Sequence, residues 1–117
     1  MSVLLRARTV GSTVTATLAG EINSTTSGGL QAQLLPLVAE DSTLLVDLRA
    51  VDYISSAGLR TLLIVHRQAQ RLRARIVLVG LTEEVRFVMS ATGFLDFFQI
   101  GDDLEDGLEE EPERVGR

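Results

Sequence analysis

Cysteine is absent from the chain, and so are lysine and tryptophan. Without cysteine there are no disulfides and no thiolate chemistry, and a structural zinc site loses its commonest ligands. Every base is an arginine, which hints at a GC-rich genome and says little about function. Aromatic residues are scarce, four Phe and one Tyr, so the stacking platforms of a single-strand nucleic-acid binder are missing. No apolar run approaches the roughly 18–20 residues that span a bilayer. The opening "MSVLLRARTV" has neither a leading basic region nor a long apolar core, so no signal peptide is expected. The expected address is cytoplasmic, with no membrane partner. One histidine, His66, is the only imidazole available to any mechanism.

What remains is a chain of 117 residues, 45% apolar, enough for one domain with a proper core. Its charge is uneven. Residues 102–117, "DDLEDGLEEEPERVGR", hold eight of the sixteen acids and carry −6, while residues 1–101 carry +1. Residues 1–101 therefore read as the domain and 102–117 as an acidic, solvated, disordered appendage. A folded part so nearly neutral lacks the positive potential that nucleic acid requires.

The pattern along the chain predicts an α/β fold. Residues 3–8 and 13–19 read as strands joined at Gly11-Ser12, the second alternating Val14, Ala16 and Leu18 with threonines. Leu30, Leu34, Leu37 and Val38 recur at helical spacing and predict an irregular helix over 24–39, with Ser24 to Ser27 as cap candidates and Gly28, Gly29 and Pro36 against it. "TLLVDL", 43–48, is the continuous apolar run of a parallel strand covered on both faces, followed by a loop. Helix 56–72, strand 75–80, helix 82–93 with Thr82 as cap and Gly93 as stop, and a last strand at 97–100 complete the order. Strands alternating with helices imply right-handed crossovers and a mixed, mostly parallel sheet, with an N-terminal hairpin supplying the antiparallel strand and the helices packed on it.

The junction "YISSAGLR", 53–60, places two serines where a buried strand gives way to a helix. Serine is a preferred N-cap, which accounts for one of them. Nucleophilic catalysis is excluded by distance: His66 lies ten residues on, roughly 15 Å along the helix axis, and there is no G-x-S-x-G elbow. His66 reads as a packing residue at the edge of the apolar stripe. Neither Walker nor Rossmann glycine spacing occurs, and no metal or cofactor site is expected. A phosphoacceptor remains. A phosphate at a helix N-terminus meets the positive end of the dipole and free N–H groups, and it adds about −1.5 to −2 charges to the surface.

"LLVDLRAVDYISSAGLRTLL" resembles the phosphorylation region of anti-sigma factor antagonists of the STAS domain family. "LAGEINSTTS", 18–27, resembles that family's Gly-Glu-(Leu/Ile)-Asp segment, and "VRFVMSATGFLDFFQI", 85–100, its closing helix, stop and last strand. The resemblance spans residues 3–101 and implies a single STAS-like domain. It implies a non-enzymatic module that binds an anti-sigma factor serine kinase, a GHKL-type ATPase, frees the sigma factor, lets go on phosphorylation and is reset by a serine phosphatase. By position Ser56 matches the acceptor, with Ser55 the alternative. Ser55 stands where the family has an acid, Ala57 where it has Ser or Thr, Asn23 where it often has Asp; Gly58 and Leu59 match its Gly-Leu. The docking surface is expected around Asn23, Ser55, Ser56, Ala57 and Gly58 and along the helix face Arg60, Ile64, Arg67, Gln68 and Arg71, with Ile64 as an exposed apolar anchor in a polar rim. The rival implication is a constitutive STAS subunit of a signalling scaffold or a lipid-transport ATPase assembly.

Overall fold

The computed structural model describes residues 3–101. The acidic segment 102–117 lies outside the described residues. Five strands form one sheet in the order β1-β2-β3-β4-β5. β1 (Val3–Val10) and β2 (Thr13–Ile22) pair antiparallel across Gly11-Ser12, where Gly11 takes the φ of 60° that a two-residue hairpin favours. β2, β3 (Thr43–Ile54), β4 (Arg75–Val79) and β5 (Gln99–Gly101) run parallel. The crossovers carry α1 (Ser27–Leu34), α2 (Ser56–Arg71) and α3 (Glu83–Ala91). Strand order advances in one direction, so right-handed crossovers place all three helices on the same face. The main core lies there: Ala16, Leu18, Leu44, Val46, Leu48 and Leu78 from the sheet meet Leu30, Leu34, Leu62, Val65, Val85 and Met89 from the helices.

The expected fold class stands, with three boundary corrections. β3 does not end at Leu48 but runs to Ile54. Its register against β2 slips twice, between Thr17/Ala19 and Gly20/Glu21, and each time β3 carries the extra residue. Bulges of this kind break the period of two, which is why "RAVDYI" reads as a loop although Val51 and Ile54 are buried. α1 is shorter than the spacing predicts, because residues 23–26 form a turn of their own and Pro36 converts the end into a 3-10 turn over Leu35–Leu37. Its N-cap, Thr26, falls within the expected range Ser24 to Ser27, and makes no side-chain capping bond. The last strand begins at Gln99, not 97, after a 3-10 turn over Phe94–Phe97.

α3 obeys its predicted signals. Thr82 Oγ1 accepts from Val85 N–H at 3.3 Å and donates to the Val51 carbonyl at 3.4 Å, and Gly93 leaves the helix at φ 81°. Thr82→Ala removes the cap and the tie to β3 together, an expected loss of about 1–2 kcal/mol measurable by urea titration. His66 packs its ring edge-on against Phe98, centroids 5.3 Å apart, as a packing residue should.

Candidate functional site

The two bulges carry β3 beyond its pairing with β4, which ends at Asp47↔Val79, so that β2 and β3 finish side by side at Ile22↔Ile54. β3 is the central strand, and its carboxyl end hands directly to α2. Ser55 is the hinge residue of that junction. Its backbone is extended, φ −94° and ψ 177°, its N–H donates to the Ile22 carbonyl at 2.8 Å, and its carbonyl accepts from Leu59 N–H at 2.9 Å. Its hydroxyl accepts from Gly58 N–H at 3.3 Å. Ser55 is thus the N-cap of α2, half-buried and spent inside the molecule.

Ser56 is the first residue of α2 proper and is exposed. Its hydroxyl makes no hydrogen bond to any of the described residues. It stands beside the unpaired N–H groups of the first turn, the positive end of the α2 dipole. Arg60, also exposed, lies one turn further on the same face. Side chains on a helix lean toward its N-terminus, so the Arg60 guanidinium can reach an anion carried on Ser56.

Asn23 comes to the same edge because β2 ends next to β3. Its Oδ1 accepts from Thr25 N–H at 2.9 Å and Thr26 N–H at 3.1 Å, and its Nδ2 donates to Glu21 Oε1 at 3.4 Å. An Asp here could accept the same two bonds but would set a second carboxylate against Glu21; asparagine donates to it instead. Thr26 locks the turn, accepting from Asn23 N–H at 2.9 Å and donating to the Glu21 carbonyl at 2.8 Å. Sequence reading missed Glu21 and Thr26, whose roles depend on strand register. It also missed Tyr53, 49% exposed immediately before Ile54 on β3, although that tyrosine opens the strand-to-helix junction.

Three expected surface residues sit differently. Gly58 is buried, not displayed: a Cβ there would lie 2.7 Å from both Ile22 Cγ2 and Ile54 Cγ1 and 3.0 Å from the Ile22 carbonyl oxygen. It is the point of closest approach between α2 and the strand ends, and a partner cannot touch it directly. Ala57 is half-buried. Ile64 is half-buried too, not a bare apolar anchor, because the 3-10 turn after α1 brings Leu35 beside it. Leu35, Ile64, Arg67, Gln68 and Arg71 together line a shallow depression of about 230 Å³ between α1 and α2, apolar at its floor and basic at its rim. Thr61 fixes that groove by donating from Oγ1 to the Ser27 carbonyl at 3.3 Å. Arg60, Arg67 and Arg71 are all exposed along α2.

Among the described residues no group of three or more His, Asp or Glu side chains could hold a metal ion. No helix among them is long and apolar enough to cross a membrane.

Comparison with known proteins agrees with this architecture. A model of the STAS domain matches residues 5–107. A Bordetella bronchiseptica protein, BtrV, provisionally named an anti-sigma factor antagonist, is 37% identical over 91 residues, covering 77% of this chain and 78% of its own. The crystal structure of an anti-sigma factor antagonist from Mycobacterium paratuberculosis superposes with a TM-score of 0.82 at 22% identity, covering 93% of each chain. The Bacillus cell fate determinant SpoIIAA, solved in its phosphorylated form, superposes with a TM-score of 0.67 at 17% identity, covering 96% of this chain and 99% of that one.

Proposed function

The chain belongs to the STAS domain family, and we propose that within it the protein acts as an anti-sigma factor antagonist, a non-enzymatic switch thrown by phosphorylation of Ser56. Unmodified, it binds a cytoplasmic anti-sigma factor that is itself a serine kinase of the GHKL type, and so frees a bacterial sigma factor for transcription. Phosphorylated, it lets go, and a serine phosphatase restores it. The name of BtrV and the phosphorylated state of SpoIIAA support the reading.

The observation that carries it is the division of labour between the two serines. Ser55 uses its hydroxyl to cap α2, and Ser56 presents an uncommitted one at the same helix start. A dianion on Ser56 sits at the positive end of the dipole with Arg60 in reach, so the fold tolerates it. A partner whose surface closes over that spot must desolvate it, at a cost of several kcal/mol. Modification therefore changes contacts and leaves the architecture alone. Binding is tested by titrating the protein into a complex of the anti-sigma factor and its sigma factor. Displacement of the sigma factor is expected, and loss of displacement after kinase and ATP treatment. A chain that displaces nothing sinks the reading.

The groove between α1 and α2 continues the proposed contact surface below Ser56. Ile64→Asp is expected to weaken partner binding by at least roughly tenfold while the chain still melts cooperatively, since a half-buried side chain contributes only part of a core leucine's stability. Calorimetric titration against the anti-sigma factor, paired with a thermal melt, checks both halves.

The rival reading, a constitutive STAS subunit of a signalling scaffold or a lipid-transport ATPase assembly, draws on Ser55 standing where the family pattern has an acid. It requires that no phosphate be accepted and that an assembly subunit, not a kinase-type ATPase, co-purify.

A further inference from the structure

β1 is an edge strand, and little in its backbone blunts it. Strand order places it at one side of the sheet, and its register with β2 runs from Val3↔Gly20 to Val10↔Thr13 without a bulge. Its sequence, "VLLRARTV", holds no proline. Bulges, prolines and very short length are common means of keeping a foreign strand off an edge. The two-residue turn at Gly11-Ser12 makes Val10 and Thr13 a hydrogen-bonded pair. Pairing alternates from there. Arg8, Arg6 and Leu4 spend their backbone groups on β2, while the N–H and C=O groups of Thr9, Ala7 and Leu5 point outward. Among the described residues no second strand pairs with them.

The side chains alternate in the same way. Val3 and Leu5 turn to the main core. Leu4, Arg6, Arg8 and Val10 share the opposite face, and all are exposed, Leu4 to 67% and Val10 to 56%. The row is thus a pair of arginines between bare aliphatics. Across from Arg6 on β2 is Thr17, and across from Arg8 is Thr15, hydroxyls and not carboxylates. These residues line a depression of about 360 Å³. Neither arginine makes an ion pair with a described residue.

This row discriminates between occupants. A second copy paired antiparallel along the whole of β1 would set each Arg6 against the other copy's Arg8, and like charges directly opposite oppose pairing. An extended segment with acids two residues apart, and an aliphatic residue two positions beyond each, meets every side chain with its complement. Its carboxylates form charge-assisted bonds with Arg6 and Arg8, and its aliphatic residues cover Leu4 and Val10.

We propose that the free edge of β1 is a docking site for an acidic strand of another protein. That strand extends the sheet by pairing with the outward groups of Leu5, Ala7 and Thr9 and lays its carboxylates on Arg6 and Arg8. The row faces away from α1 and α2, so the site is separate from the surface around Ser56 and stands whether or not that serine is modified.

The probe is a synthetic peptide, Ser-Leu-Thr-Glu-Thr-Glu-Thr-Leu-Ser, with a lysine-for-glutamate copy as control. In the full chain, adding the acidic peptide is expected to slow amide exchange at Leu5, Ala7 and Thr9 at least roughly tenfold. The amides of Arg6 and Arg8, already bonded to β2, change little. Arg6→Glu with Arg8→Glu is expected to reverse the preference and select the lysine peptide. Ala7→Pro removes one outward donor at an edge position that tolerates proline, and is expected to weaken binding at least roughly tenfold. No binding at about 1 mM peptide overturns the proposal, as does equal binding of the two peptides or binding without protection of the three amides. Protection of those amides before peptide is added overturns it too: if it rises with protein concentration the edge belongs to a second copy, and if it does not the chain covers its own edge. Should Ala7→Pro fail to melt cooperatively, the exchange pattern and the charge reversal decide alone.

Discussion

Ser56→Ala is expected to abolish phosphate incorporation by the cognate kinase, whereas Ser55→Ala keeps it. The two substitutions separate in stability in the opposite sense. Ser55 Oγ satisfies Gly58 N–H at the start of α2, so its removal costs about 1 kcal/mol. For a domain of this size that lowers the melting temperature by roughly 4–8 °C. Ser56 is exposed and its hydroxyl bonds to none of the described residues, so Ser56→Ala stays within about 0.5 kcal/mol of the native protein. One variant is stable and cannot be switched; the other is weakened but can. On binding, phosphorylation of the native chain is expected to reduce affinity for the anti-sigma factor by at least roughly 100-fold, about 2.8 kcal/mol, a modest share of the penalty for desolvating a dianion. Peptide mapping after kinase treatment, thermal melts of both variants and a titration before and after phosphorylation supply the measurements. Phosphate found on Ser55, or undiminished labelling of Ser56→Ala, would assign the acceptor elsewhere.

These expectations show which parts of the molecule its sequence made legible. Where a signal is local it could be read: the alternation of Val14, Ala16 and Leu18, the Thr82 cap and the Gly93 stop all appear where the pattern puts them. The site was half legible for the same reason. Two serines before a leucine-rich helix announce an N-cap and a spare hydroxyl, but which serine does which depends on where β3 ends. That end is set by two bulges against β2, a property of a pair of strands that no single stretch displays. The Asn23 turn escaped similarly. Its asparagine and Thr26 bond to each other and to the Glu21 backbone in a pattern that competes with the helix predicted from Ser24 onward. Ile64 was placed on the correct face of α2, but its neighbour Leu35 arrives from another element through a turn at Pro36, and so the expected bare anchor is a groove. "TLLVDL" announced a strand buried on both faces, and every residue from Thr43 to Leu48 is buried.

Gly58 links fold and site most tightly, and Gly58→Val carries the largest expected loss of stability. A Cβ at this position meets Ile22 Cγ2 and Ile54 Cγ1 at 2.7 Å and the Ile22 carbonyl oxygen at 3.0 Å. None of these is the far end of a flexible chain. Ile22 and Ile54 are 0% and 1% exposed and sit in register at the ends of β2 and β3, so neither can swing aside without disturbing the core. Overpacking of this kind costs about 1–3 kcal/mol for small additions, and valine adds two further methyls with a restricted χ1. Replacing glycine by alanine inside a helix returns up to about 1 kcal/mol of propensity, which makes Gly58→Ala the milder test. Gly58→Val is therefore expected to lose about 3 kcal/mol, and Gly58→Ala about 1–2. Relief of the clash must move the start of α2 away from the strand ends, which stretches the 2.8 Å bond from Ser55 N–H to Ile22 and shifts Ser56 with it. The displacement has a kinetic signature as well. Gly58→Ala, still folded, is phosphorylated more slowly than Ser56's exposure alone would dictate, because the acceptor no longer stands where the partner expects it. Urea denaturation and single-turnover phosphorylation of the alanine variant measure the two effects. Native stability in Gly58→Val would show that α2 does not rest on Ile22 and Ile54 as described.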